Sequence, residues 1–202
     1  MNYTNTWGTE VIDIALTYVN HEWYATENNV KHGLDSYNNL VDTPDVTWTG
    51  IELHCGWWKV NEMNKGIPYN WGGASTIDEY DRGLLEGKYA GNVPEDKSRR
   101  GSYDCVGIDC SGLLTVCWKL SNRVSTRDIP NIAKRFETIE DIRKGDILAK
   151  IGSHVMLFVE FSSDAQDTAI IIDSTRSIGK VSRREVNIGT LFRNGYGMYR
   201  KT

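Results

Sequence analysis

Apolar positions recur at helical spacing in the first half of the chain and crowd into strand-like runs in the second. Ile12, Ala15, Leu16, Val19 and Trp23 fall on one helix face, with Thr9 placed to cap the helix. Residues 28–60 show no period and are rich in Asn, Asp, Gly and Trp. Gly66-Ile67-Pro68-Tyr69-Asn70-Trp71-Gly72-Gly73 is dense in turn formers and aromatics. A short helical pattern runs from Ile77 to Leu85, and Glu95-Asp96-Lys97-Ser98-Arg99-Arg100-Gly101 reads as an exposed, solvated loop. A third apolar stripe, Leu113, Leu114, Val116, Cys117 and Leu120, follows Asp109. The Asp109 carboxylate is suited to cap that helix by accepting the free N–H groups of its first turn.

Beyond this helix the texture changes to strands. Gly145 to Lys150 ends at the turn signal Ile151-Gly152, and His154 to Phe161 follows as an almost continuous apolar run. Thr168 to Ser174 is a further strand; Gly179 marks a turn before Lys180 to Val186, whose mixed texture suits a more exposed strand. Tyr196 to Arg200 closes the sheet. Helices first and consecutive strands later predict the α+β class with an antiparallel sheet.

Composition narrows the picture. A chain of 202 residues, 40% hydrophobic and 25% charged, is expected to form one soluble domain, 1–202, with a proper core. The net charge of −4 argues against nucleic acid as the main partner. No apolar run approaches the roughly 20 residues that cross a bilayer, so no membrane insertion is expected. Met1 to Asn5 lack the basic and apolar regions of a signal peptide, which suits a cytoplasmic protein, or a secreted or envelope protein whose leader has been removed.

The four cysteines are Cys55, Cys105, Cys110 and Cys117. None forms a CxxC pair and the four histidines are scattered, so no metal site is expected. Cys117 sits on the apolar stripe as a small buried hydrophobe, and whether Cys55 pairs with Cys105 stays open. Cys110 differs from both. It stands at the start of the third helix, where the helix dipole and free N–H groups favour a thiolate, and a thiolate is a nucleophile.

Such a nucleophile needs a base. His154 begins an apolar strand right after a turn, where a ring can face a cleft while its strand is held by the core. His21 falls in the first helical pattern, and His32 and His54 in polar or irregular segments. A third polar group should fix the imidazole tautomer, and Asp173 ends the run Ala169-Ile170-Ile171-Ile172 where an adjacent strand would bring it beside His154; a strand-terminating turn aspartate is the alternative.

GIPYNWGG at 66–73, GIDCSGLL at 107–114, KGDILAKIGSHVMLF at 144–158 and IIIDSTRSIGKV at 170–181 occur in the order seen in NlpC/P60 cysteine peptidases. The chain resembles that family over roughly residues 60–187. The resemblance implies a papain-like fold with a cysteine helix packed on an antiparallel sheet, Cys110 as nucleophile, His154 as general base and later acid, and Asp173 in the third position. That position is most often histidine in the family, so the aspartate is a departure, although a carboxylate orients the ring and stabilises the imidazolium. Asp109 and Ser111 match positions that contact a substrate's free amine; Asp109 is then both amine anchor and helix cap. Tyr69 matches a tyrosine bordering the site, or else an aromatic packed under the sheet.

The implied activity is hydrolysis of an amide in a cell-wall peptide, commonly between γ-D-glutamyl and a diamino acid, so the expected partner is a peptide or murein fragment. Residues 1–60 form an N-terminal extension and 74–105 an insertion, placing about 33 residues between Gly73 and Gly107 where family members have a short connection. Trp57, Trp58 and Trp71 either line a cleft wall built by these additions or belong to the core. No cofactor is implied. Acyl transfer of the transglutaminase kind, an effector acting on a non-murein amide, and a non-catalytic binding module are the alternative readings.

Overall fold

Three helices and a six-stranded sheet position the site. A computed structural model describes residues 4–48, 56–94 and 101–202 of the chain. Helix α1 spans Thr4–Asn20, α2 Ile77–Leu85 and α3 Cys110–Cys117. The main strands are β1 (Ala133–Phe136), β2 (Ile147–Lys150), β3 (His154–Phe161), β4 (Thr168–Thr175), β5 (Lys180–Asn187) and β6 (Gly197–Lys201). They form a sheet in the order β5-β4-β3-β2-β6-β1 with every neighbouring pair antiparallel. The class is therefore α+β.

The sheet is covered on both faces, which explains why β3 reads as a continuous apolar run. Val155, Leu157 and Val159 of β3 and Ile172 of β4 join Val11, Ile12, Ala15 and Tyr18 of α1 and Leu113, Leu114 and Cys117 of α3 in one core. Met156 and Phe158 point to the opposite face, where they pack with Ile171, Ile142 and the short helix Ile188–Arg193. Helix α2 has matching ends: Thr76 and Glu79 form a reciprocal capping box.

Two expectations for the N-terminal helix change. Thr9 lies inside α1 and does not cap it, because the helix already begins by Thr4. Trp23 is not on the helix face. It sits in a short strand, Glu22–Tyr24, paired with Met63–Lys65, and its ring is buried against Trp57, Trp58 and Tyr80. Aromatic clustering, not helical period, buries it. The irregular stretch after it contains a small hairpin, His32–Leu34 with Leu40–Asp42. Cys55, His54 and the charged run 95–100 lie outside the described residues.

The motif GIPYNWGG is the hinge between helix and sheet. Its backbone bonds to the β4–β5 turn through Tyr69 N–H to the Gly179 carbonyl (2.8 Å). On its other side Ile108 N–H donates to Pro68 (3.1 Å), Asn70 N–H to Ile108 (3.2 Å) and Asp109 N–H to Gly73 (3.0 Å). This close approach demands glycine. A Cβ on Gly112 would stand 2.1 Å from the Gly73 carbonyl oxygen, and one on Gly107, at φ +133°, would stand 2.6 Å from that of Pro68. The two motifs that frame Cys110 are thus one packed unit.

Candidate active site

Asp109 starts α3 and is consumed by doing so. Its Oδ1 accepts from Gly112 N–H (2.7 Å) and the Ser111 hydroxyl (2.9 Å). Its Oδ2 accepts from Gly72 N–H (3.0 Å) and Arg123 Nη2 (2.6 Å). Four donors fill the roughly four lone-pair positions of a carboxylate. Ser111 is likewise buried, with its hydroxyl turned to Asp109.

Cys110 is the first residue of α3 and is half-buried, whereas Cys105 and Cys117 are buried. Burial pushes the Cys105 thiol up to about 12 and the Cys117 thiol higher still. As the first residue of α3, Cys110 has no acceptor for its N–H within the helix.

His154 opens β3, opposite Lys150 at the end of β2. Its Nε2 lies 2.8 Å from Asp173 Oδ2, which leaves Nδ1 for the neighbouring Cys110 thiol, close enough to raise the imidazole. Burial alone would lower the imidazole. The hydrogen bonds to Asp173 and Cys110, reinforced by their negative charge, outweigh burial and lift it to about 9. The edge of the His154 ring meets Tyr196, with centroids 6.5 Å apart.

Asp173 is fully buried. Burial would raise its carboxyl, but the hydrogen bonds from His154 and Arg184 hold it below the ordinary carboxylate range. Arg184 grips both oxygens, Nε to Oδ1 at 3.1 Å and Nη2 to Oδ2 at 2.6 Å. Strand register brings them together. Ile171 pairs with Arg184 and Asp173 with Ser182, so alternation puts Asp173 and Arg184 on one face of the sheet. Ser174, on the other face, donates to the Ile108 carbonyl at 2.6 Å and ties β4 to the segment leading into Cys110.

Tyr69 is almost fully buried, and burial together with the neighbouring Asp109 and Cys110 pushes its phenol upward. Trp71 stands further out. It packs with Trp48, Tyr69 and Val93 and lines a polar cavity of about 380 Å³ with Asn70, Gly72 and Ser102. Trp58 is fully buried, and Trp57 donates its indole N–H to the Gly179 carbonyl at 2.9 Å. His21 pairs with Asp81 (2.7 Å) and His32 with Asp45 (3.0 Å), both away from Cys110.

Sequence reasoning missed Arg184, Arg123 and Tyr196. Arg184 was findable: a hairpin pivoting near Gly179 sets Asp173 opposite Ser182 and Arg184 diagonal to it. Arg123 lies in the irregular stretch after α3 and carries no local signal. Among the described residues no group of three or more His, Cys, Asp or Glu is arranged to hold a metal ion, and no helix is long and apolar enough to cross a membrane.

What stands together is a half-buried thiol, an imidazole beside it, and a buried carboxylate fixing the ring's far nitrogen. That set can deliver a sulfur nucleophile and move a proton to and from it. No family model, curated protein or solved structure matches the chain.

Proposed function

We propose that the protein is a cysteine hydrolase that cleaves an amide bond in a peptidoglycan-derived peptide, in the manner of NlpC/P60 peptidases with their papain-like fold. The observation that carries this reading is His154 held between Cys110 and the Arg184-clamped Asp173. The Cys110 sulfur attacks the amide carbon, and the oxyanion forms beside the Cys110 N–H. The His154 imidazolium gives its Nδ1 proton to the departing amine as the C–N bond breaks, leaving a thioester. Water then loses a proton to His154 and attacks the thioester, releasing the acid and the thiolate. Asp173 keeps the ring in one orientation through both steps.

The substrate class rests on the ordered motifs around Tyr69, Cys110, His154 and Asp173. Mass spectrometry of L-Ala-γ-D-Glu-diaminopimelate and its lysine analogue tests it, each incubated with the native protein and with Cys110→Ala. Cleavage at the γ-D-glutamyl bond by the native protein alone is the expected result. Intact peptides in every tube, under conditions where Cys110 is reactive, would remove the cell-wall substrate.

A further inference from the structure

The side of the site next to Asp109 is positive, in a protein whose net charge is −4. Asp109 is only 6% exposed as a side chain and has no acceptor position left for an incoming ammonium. Arg123, which fills one of those positions, is 38% exposed as a side chain and engages Asp109 through Nη2, with its other N–H donors unspent among the described residues. Arg176 approaches from the β4–β5 turn, with Nε donating to the Val93 carbonyl at 3.4 Å and no ion pair among the described residues. Val93 packs against Tyr69, whose backbone is bonded to the same turn at Gly179. Both guanidiniums, like Cys110, lie within electrostatic reach of the Tyr69 phenol. Among the described residues the carboxylates of the site, Asp109 and Asp173, are buried and fully bonded, so the charge these residues offer to a ligand is that of the arginines.

We propose that Arg123 and Arg176 form a specificity subsite beside Cys110 that binds a carboxylate of the substrate, in place of the free amine that the Asp109–Ser111 pair suggests from sequence. This rests on the reading of Cys110 as the nucleophile of a hydrolase. A planar guanidinium with unspent donors binds a carboxylate well, and two of them, each partly shielded from water, repel an ammonium.

Two arms test it, and they fail separately. In the first, Cys110 alkylation is followed by peptide mapping with anionic iodoacetate and neutral iodoacetamide, in the native protein, Arg123→Gln, Arg176→Gln and Arg123→Lys. The iodoacetate-to-iodoacetamide rate ratio is expected to fall by about threefold or more in each Gln variant and to be retained in Arg123→Lys. A ratio unchanged in both Gln variants overturns the subsite. Arg176→Gln breaks no ion pair among the described residues, so it decides the matter if Arg123→Gln does not fold.

The second arm compares a peptide with a free N-terminal amine and its N-succinyl counterpart. The native protein is expected to favour the succinyl peptide by about tenfold in kcat/KM, and Arg123→Gln to lose that preference. A native preference for the free amine overturns the proposal. Failure to cleave either peptide removes the cell-wall substrate of the proposed function, while the alkylation ratios still decide the cationic subsite.

Discussion

Asp173→Ala is expected to lower the unfolding free energy by about 3–5 kcal/mol, the scale for removing one partner of a buried charged network. Three donors end on this fully buried side chain: Nε2 of His154 and Nε and Nη2 of Arg184. Alanine leaves all three facing a cavity. The His154 side chain is 16% exposed and that of Arg184 33%, so water recovers part of the loss for the arginine but little for the imidazole. The same substitution removes a main support of the raised His154, which then titrates at lower pH. Urea denaturation measures the first effect and NMR titration of the His154 ring the second. Asp173→Asn preserves volume and one acceptor, so it should lose less stability while still lowering His154. A loss below about 1 kcal/mol in Asp173→Ala would mean that the network does not hold the sheet.

The second large effect is a dependence of stability on pH that belongs to His154. Its ring titrates near 6.5 when unfolded and at about 9 when folded. Below 6.5 both states carry the proton and the full contribution is present. Between 6.5 and about 9 the folded protein keeps a proton the unfolded chain has lost, so stability falls as pH rises, and above about 9 nothing of it remains. The gap corresponds to about 3 kcal/mol. Urea midpoints should therefore decline across this window in the native protein. Between pH 6.5 and about 8 the slope should be largely absent in His154→Ala; above that the buried Cys105 and Cys117 thiols, held protonated in the folded state, add a decline common to both proteins. Parallel slopes in the two proteins would place the imidazole in an environment other than the one described.

Much of the fold is legible in the sequence where burial follows a simple period. Helix α2 and strand β3 have the bounds that their apolar patterns set, and β4, β5 and β6 differ from theirs by a residue or so at their ends. Helix α3 begins where Asp109 caps it. What escapes is structure held by partners distant in sequence. Strand β1 reads Ala-Lys-Arg-Phe with only Ala133 buried, because it is the edge strand and its order comes from backbone pairing with β6. Trp23 resembles one more turn of α1 until its aromatic partners are known.

The candidate site divides the same way. Cys110 and His154 announce themselves by position, one at a capped helix start and one at the mouth of an apolar strand. Asp173 looks equally like a turn residue until register sets it beside the imidazole. Arg123 alters the meaning of Asp109 from more than a helix turn away, through a contact no spacing rule reports.

The central claim is that Cys110 works as a nucleophile because the imidazole of His154 stands beside it. Timed alkylation with iodoacetamide at neutral pH, resolved thiol by thiol by peptide mapping, tests this most directly. The account predicts that Cys110 reacts well ahead of the buried Cys105 and Cys117, and that His154→Ala slows Cys110 by about tenfold or more. Equal Cys110 rates in the native protein and His154→Ala would contradict it.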